Sequence, residues 1–286
     1  MVKKNNLLSK LVPWRMWVQS IFLLVWLDPL ALRLHGMCCP VFHCYACPLA
    51  TFACPIGVIA QFGGIHIFPF IAIGLLVVVG VLFGSLVCGW ACPFGFLQDL
   101  AARAPTRKFD PPKWTGHLRY VVLIVTVLAV PYLFGEGHPL FICRICPAGA
   151  LEAAVPNITQ QAIAGQTIVW PNALKLTILI LFLVAVFFVK RPWCRILCPL
   201  GGFFSLFNRI SAFFLRLNPE KCNDCKRCHK LCEYGIQPQI SPNDSACIRC
   251  LECTRCGPEA LTFGSAFQHR EKPSAELKPE RSQANT

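Results

Sequence analysis

Residues 222–232 read Cys222-Asn-Asp-Cys225-Lys-Arg-Cys228-His-Lys-Leu-Cys232, and residues 247–256 read Cys247-Ile-Arg-Cys250-Leu-Glu-Cys253-Thr-Arg-Cys256. Eight thiols thus fall within 35 positions, in two C-x-x-C-x-x-C runs each closed by a fourth cysteine. A loop that presents three sulfurs on successive turns suits one face of an iron–sulfur cube, and the fourth cysteine of such a run ligates the other cluster. The spacing therefore predicts one 4Fe-4S cluster on Cys222, Cys225, Cys228 and Cys256, and a second on Cys247, Cys250, Cys253 and Cys232.

This is the ligand run of a two-cluster bacterial ferredoxin, with two departures. Cys232 is followed by Glu233 rather than proline, and the last spacing is two residues rather than three, with Cys256-Gly257-Pro258 offering another route to the turn. A zinc ribbon is the competing metal reading, although its ligand pairs are usually a dozen or more residues apart. Cys225-Lys-Arg-Cys228-His229 also matches the attachment signature of a c-type haem. Haem would require an exported domain and would orphan six neighbouring thiols.

The rest of the chain has a different solvent. Of 286 residues, 55% are hydrophobic and 14% charged, and mean hydropathy is +0.53, whereas soluble domains carry about 25% charge. Twenty of the 41 charged side chains lie between Arg216 and Arg281. Nineteen cysteines favour metal or redox chemistry over a disulfide scaffold in a chain this large and apolar. The net charge of +13 sits largely in Lys/Arg groups flanking apolar runs, which topology explains without a nucleic-acid partner.

Four stretches approach the length needed to cross a bilayer: 16–34, 65–87, 118–134 and 170–189. The first reads as an uncleaved anchor, since no small-residue cleavage site follows it. The third is the shortest and carries Pro131. Lys3, Lys4, Lys10 and Arg15 precede the first span; Arg103, Arg107, Lys108, Lys113 and Arg119 separate the second from the third; Lys190, Arg191, Arg195 and Arg209 follow the fourth. The two other loops hold few basic residues beyond Arg144, so both termini are expected in the cytoplasm.

The body repeats itself. Cys44-Tyr-Ala-Cys47-Pro48 precedes span two, which ends in Cys88-Gly-Trp-Ala-Cys92-Pro93-Phe-Gly95. Cys143-Arg-Ile-Cys146-Pro147 precedes span four, which ends in Cys194-Arg-Ile-Leu-Cys198-Pro199-Leu-Gly201. Amphipathic stretches, 94–104 and 203–217, follow each second motif and read as interfacial helices. The expected fold is an all-α polytopic membrane protein of about four transmembrane helices in two parallel repeats, with a C-terminal α+β ferredoxin-like domain. The expected boundaries are 1–215 for the membrane domain, 216–265 for the two-cluster domain and 266–286 for a disordered polar tail.

Cysteines three or four apart on a helix share a face, so Cys88, Cys92, Cys194 and Cys198 offer one four-thiol set, and Cys44, Cys47, Cys143 and Cys146 offer another on the opposite side. Each could hold a further iron–sulfur cluster. Disulfides such as Cys44–Cys47 or Cys38–Cys54, or burial as small apolar residues, are the alternatives. Arg144 and Arg195 inside these motifs could offset cluster charge or serve topology. Opposite faces lie about 30 Å apart, a gap that a re-entrant loop over 36–64 or a bound haem, flavin or quinone would have to close. Histidines 35, 43, 66, 117 and 138, with Asp28 and Glu152, are candidates for haem or quinol-proton chemistry, or simply headgroup and capping residues.

Four spans, C-x-x-x-C-P at 88–93 and 194–199, and a cytoplasmic two-cluster run together resemble the NapH type of ferredoxin-like membrane subunit, with NosR-type and CcoG-type polyferredoxins as relatives. The resemblance covers roughly residues 10–262. It implies a multi-pass protein of the bacterial cytoplasmic membrane that passes electrons from the quinone pool toward redox partners, such as a c-type cytochrome or an iron–sulfur protein on the outer side. It matches Cys88, Cys92, Cys194 and Cys198 to the family's membrane motif and the eight cysteines of 222–256 to its cluster ligands. The extra cysteines of the outer loops, Cys38, Cys39, Cys44, Cys47, Cys54, Cys143 and Cys146, depart from the simplest family pattern. No nucleotide fingerprint, phosphate loop or nucleophile motif points to substrate chemistry. An assembly or regulatory factor that reduces a metal or disulfide is the alternative function, and a redox-sensing transporter or anchor a third.

Overall fold

The computed structural model describes residues 12–27, 54–151, 158, 161–162, 165, 173–256 and 260–266. The chain is mostly helical. Helix α1 (Arg15–Leu27) exposes Trp17, Ile21, Phe22 and Leu24 and buries Arg15 and Gln19, the inverse of a soluble helix and the pattern of one whose outer face meets lipid. There follow α2 (Pro55–Gly64), α3 (Phe70–Phe83), α4 (Leu86–Trp90), α5 (Pro93–Ala101) and α6, a continuous apolar helix over Trp114–Phe134. The second half holds α7 (Ile142–Ile145), α8 (Ala173–Phe188) and α9 (Pro199–Leu206).

Among the described residues, only the 21-residue α6 is long and apolar enough to cross a membrane; α3 and α8 are shorter apolar helices. The expected first span is described only to Leu27. The segment carrying Pro131 is therefore the longest of the described apolar helices. Proline lacks a donor and its ring clashes with the carbonyl four residues back, here Val127. The turns from Leu123 to Ala129 are π-helical, and this wider coil lets the helix pass the proline without stopping. Conversely, the stretch 65–87 is broken, because Gly84 takes a left-handed φ of +54° between α3 and α4. Its counterpart after α8 is Arg191, at φ +47°. Each half thus breaks its helix just before its C-x-x-x-C motif.

The outer faces of these helices are apolar: Phe70, Ile71, Val78, Ile124, Leu133 and Leu181 are all exposed. Apolar outer faces of this kind are suited to lipid. α2 packs on α3 and on the C-terminal half of α6, burying Ile56, Val58 and Ala60 in the stretch for which a re-entrant path is one of the expected routes.

The amphipathic stretch 203–217 is not one helix. After α9 the chain turns at Phe207–Arg209 and enters strand β1 (Phe213–Leu217), which pairs antiparallel with β2 (Leu261–Ser265), from Phe213↔Ser265 to Leu217↔Leu261. A partner strand 48 residues downstream overrides the local helical pattern. Between the strands lie α10 (Arg227–Leu231) and both cysteine runs. Leu215, Leu251 and Leu261 form their core with Cys228, Cys253 and Cys256, and Val12, Leu86 and Trp90 from the body pack against it.

Candidate iron–sulfur site

The two cysteine runs fold into two cradles. Cys222, Cys225, Cys228 and Cys256 line one cavity. Cys232, Cys247, Cys250 and Cys253 line the other, walled by Leu215, Tyr234 and Ile248. In each, three closely spaced cysteines meet a fourth from the other run. The backbone explains how. Asp224 and Lys226, flanking Cys225, have φ of +49° and +53°; Arg249 and Leu251, flanking Cys250, have +53° and +64°. Non-glycine residues adopt this region at a cost, and alternating right- and left-handed residues curl successive N–H groups into a concave nest that favours an anion. A thiolate-ligated cube is such an anion, and the donor set, the nest and the apolar walls fit it. Among the described residues, no group of three or more His, Cys, Asp or Glu side chains is drawn together as for a single metal ion.

Burial dominates the electrostatics of the cradles. It pushes the Cys247 thiol up to about 12, with repulsion from Cys250 adding to it, and Cys250 up to about 11. Burial and then the neighbouring Cys250, Cys247 and Cys232 push Cys253 higher still. Cys228 and Cys256 are raised by burial and by the other cysteines of their set. Without a cation these thiols keep their protons, and ligation would release them. His229 Nδ1 lies 2.8 Å from the Ile236 carbonyl, while Cys225 and Cys228, the cysteines of the haem-attachment signature, line the cradle with Cys222 and Cys256. Glu233, standing where ferredoxins carry proline, pairs with Lys190 at 3.1 Å and ties the cradle to the end of α8.

The duplicated C-x-x-x-C-P-x-G motifs converge as a third set. Cys88 lies within electrostatic reach of Cys92 and Cys194, and Cys198 within reach of all three. Cys92 and Cys198 are the N-cap residues of α5 and α9, with Pro93 and Pro199 in the first turn, and their sulfurs accept from Gly95 N (3.3 Å) and Gly201 N (3.4 Å). Both glycines sit where a Cβ would be crowded: at Gly95 it would lie 3.0 Å from Arg191 Nη1 and 3.3 Å from the Cys88 carbonyl, and at Gly201 3.2 Å from the Cys194 carbonyl. Gln98 donates its side-chain amide to Cys194 Sγ at 3.1 Å.

Buried charge surrounds this set. Arg191 donates to the Cys88 carbonyl at 2.8 Å and binds Asp99 at 2.6 and 2.5 Å, and Arg15 closes on the same carboxylate. Arg119 also faces Cys88. The stretch from Phe94 is thus a buried element holding Asp99 in an ion triad, where its amphipathic pattern predicts an interfacial helix. A sequence signal for this exists, since Asp99 is the single acid between Asp28 and Asp110 and acids inside apolar segments are rarely without a role. Arg191 is legible in the sequence only as a topology charge. Of the two arginines inside the motifs, Arg195 donates to the Tyr234 carbonyl at 3.2 Å and pairs with Asp110, docking the cradle onto the body.

Cys143 packs against the same apolar cluster as Cys88, and Cys146 against that of Cys92 and Cys198, and both are partly buried there. Their expected partners Cys44 and Cys47 lie outside the described residues, as do Cys38, Cys39, His35, His43, Asp28, Glu152 and the tail. A recurrence that sequence reasoning missed joins Cys54 to the pattern: C-P-x-G occurs at 54–57, 92–95, 146–149 and 198–201. In all four the cysteine is an N-cap residue followed by proline in the first turn. His66 stacks edge-on with Tyr132 of α6, while His117 Nδ1 meets the Trp114 carbonyl and His138 Nδ1 accepts from Leu140 N, both local contacts.

The cradle of Cys232, Cys247, Cys250 and Cys253 is fastened to the helical body by one buried network. Asn208 accepts from Ser85 N and donates to the carbonyls of Asp244 and Cys247; the single hydroxyl proton of Ser85 is within reach of both Asn208 Oδ1 (2.7 Å) and the Cys247 carbonyl (2.5 Å). Arg249, with its pKa lowered to about 10 by burial, donates to the carbonyls of Phe83, Asn208 and Phe213.

A family profile described as a 4Fe-4S binding domain matches residues 65–112 and 172–218, the two halves that contain Cys88/Cys92 and Cys194/Cys198. Two uncharacterized proteins of Methanocaldococcus jannaschii are 33% and 32% identical over 207 and 209 residues, which cover 68% and 69% of this chain and 79% and 71% of theirs. The ferredoxin-type protein NapH of Haemophilus influenzae is 24% identical over 217 residues, 69% of each chain. No solved structure matches. The chain belongs to the ferredoxin-type 4Fe-4S family of electron-transfer proteins, and two 4Fe-4S clusters are its cofactors.

Proposed function

We propose that this chain is a membrane-anchored electron relay that passes electrons between the quinone pool and redox partner proteins. Cys222, Cys225, Cys228 and Cys256 hold one cluster; Cys232, Cys247, Cys250 and Cys253 hold the second; Cys88, Cys92, Cys194 and Cys198 hold a third centre inside the body. The observation that carries the reading is the docking of one cradle, through Asn208, Ser85 and Arg249, onto the helix break that bears Cys88. The match of the 4Fe-4S profile to the halves bearing the third set supports it further. Bound clusters would supply one-electron transfer. The chain's own residues do the rest: the nests and N-caps aim N–H groups at sulfur, the apolar walls exclude water, and Arg191, Arg119 and Arg15 offset negative charge where lipid cannot. In this reading the apolar helices span a bacterial cytoplasmic membrane with both termini inside, and the outer partner is a c-type cytochrome or iron–sulfur protein.

Iron and acid-labile sulfide on anaerobically purified protein test the third centre. Two clusters require about eight irons and a third raises the count to about twelve; a count of about eight overturns it. A second expected outcome concerns its potential, which N–H···S hydrogen bonds raise by stabilising the reduced, more negative state. Gln98→Leu, which removes the donor to Cys194, lowers the midpoint potential of that centre in a redox titration while leaving the two cradle potentials in place.

A further inference from the structure

One contact between the cradles and the body is a backbone one. Gly89, the residue after Cys88, faces Ile248, the residue after Cys247: an added Cβ at Gly89 would sit 2.5 Å from the Ile248 carbonyl oxygen and 3.3 Å from that of Arg249. No side chain fits there. The contact is clamped from both sides. Gly89's own carbonyl accepts from Arg15 Nε at 3.0 Å and from Gln19 Nε2 at 2.9 Å, so α1 holds the segment in place. Trp90 Nε1 donates to the Arg249 carbonyl at 3.2 Å, and Ser85 Oγ reaches the Cys247 carbonyl. Two cysteines from different thiol sets are therefore each one peptide away from a single van der Waals contact. The other cradle shares the apolar core against which Leu86 and Trp90 pack, and its Cys225 is exposed.

We propose that the Ser85–Trp90 segment and the Ile248–Arg249 turn form the electron junction between the body's thiol set and the cradle of Cys232, Cys247, Cys250 and Cys253, with the missing side chain of Gly89 setting their separation. This orders the relay. The cradle of Cys222, Cys225, Cys228 and Cys256 faces the soluble partner, the other cradle stands between, and the set of Cys88, Cys92, Cys194 and Cys198 comes last. One electron crosses the junction at a time, one side being oxidised by one unit as the other is reduced by one; no bond forms or breaks and no proton moves. Tunnelling decays exponentially with distance, so the junction is the place where a small displacement costs most.

The inference rests on the third centre proposed above, and one experiment separates the two. Full-length protein is purified anaerobically in detergent, its iron is counted, and it is reduced with dithionite for electron paramagnetic resonance. With about twelve irons, the spectrum of the wild type is expected to show spin–spin splitting between the intermediate cradle and the body's centre. Gly89→Val keeps the iron complement, loses the splitting and slows reduction of the body's centre by about an order of magnitude; Gly89→Ala, a smaller intrusion, does the same more weakly should valine prevent folding. About twelve irons with no splitting in the wild type, or unchanged splitting and rate in a loaded Gly89→Val, overturns the junction alone. About eight irons in the wild type overturns the third centre itself.

Discussion

Cys256→Ser is expected to abolish the same cluster signal as Cys222→Ser and to leave intact the signal lost in Cys253→Ser. The two runs are sequential in the chain but crossed in space, since Cys256 lines the cavity of Cys222, Cys225 and Cys228, and Cys232 that of Cys247, Cys250 and Cys253. Each substitution removes about four irons. The loss reaches beyond the cofactor, because Cys228, Cys253 and Cys256 sit in one apolar core with Leu215, Leu251 and Leu261, and ligation energy of this kind is folding energy. Electron paramagnetic resonance of the three variants, with iron quantified, reads the pairing. Loss of the Cys253 signal in Cys256→Ser would show that each run holds its own cluster.

Asp99→Leu is expected to destabilise the protein by about 3–5 kcal/mol, the cost of leaving a buried charge without its partner. Asp99 is 13% exposed and serves two guanidiniums, those of Arg15 and Arg191, which are 7% and 1% exposed. Arg191 also holds a left-handed backbone conformation, which persists only where its surroundings enforce it. Lys190 and Glu233 form the comparison, with side chains 30% and 50% exposed. Lys190→Ala should cost only about 0–1 kcal/mol. Thermal unfolding of the purified protein in detergent measures both; equal, small shifts would mean that the triad is solvated and carries little of the fold. Replacing all three members with apolar residues should recover much of the loss, since it leaves no orphaned charge.

The cradles were legible because their information is local. A three-sulfur loop is written in a short run of consecutive residues, and the cross-over of the fourth cysteine follows from a general rule for such runs. The duplicated C-x-x-x-C-P-x-G was equally visible, and the structure adds that at each glycine the carbonyl of the first cysteine crowds the place of a Cβ. Helix lengths were less legible. Hydropathy sees apolar length but not the left-handed breaks at Gly84 and Arg191, nor the π-helical turns that carry α6 past Pro131. The strand at Phe213–Leu217 was invisible to a local pattern because its partner lies 48 residues away.

By itself the sequence determined the chemistry: which thiols group at short range, that the body is apolar and the cysteine-rich end polar, and that the body is built twice. These depend on spacing and composition, which survive any arrangement of the chain. Tertiary structure alone decided which groups meet. Asp99 finds Arg191 across 92 residues and Gly89 meets Ile248 across 159, and neither pairing follows from a local period. A charge in an apolar interior must find its partner wherever the chain brings one, and a backbone contact without side chains leaves no trace in the sequence except a glycine.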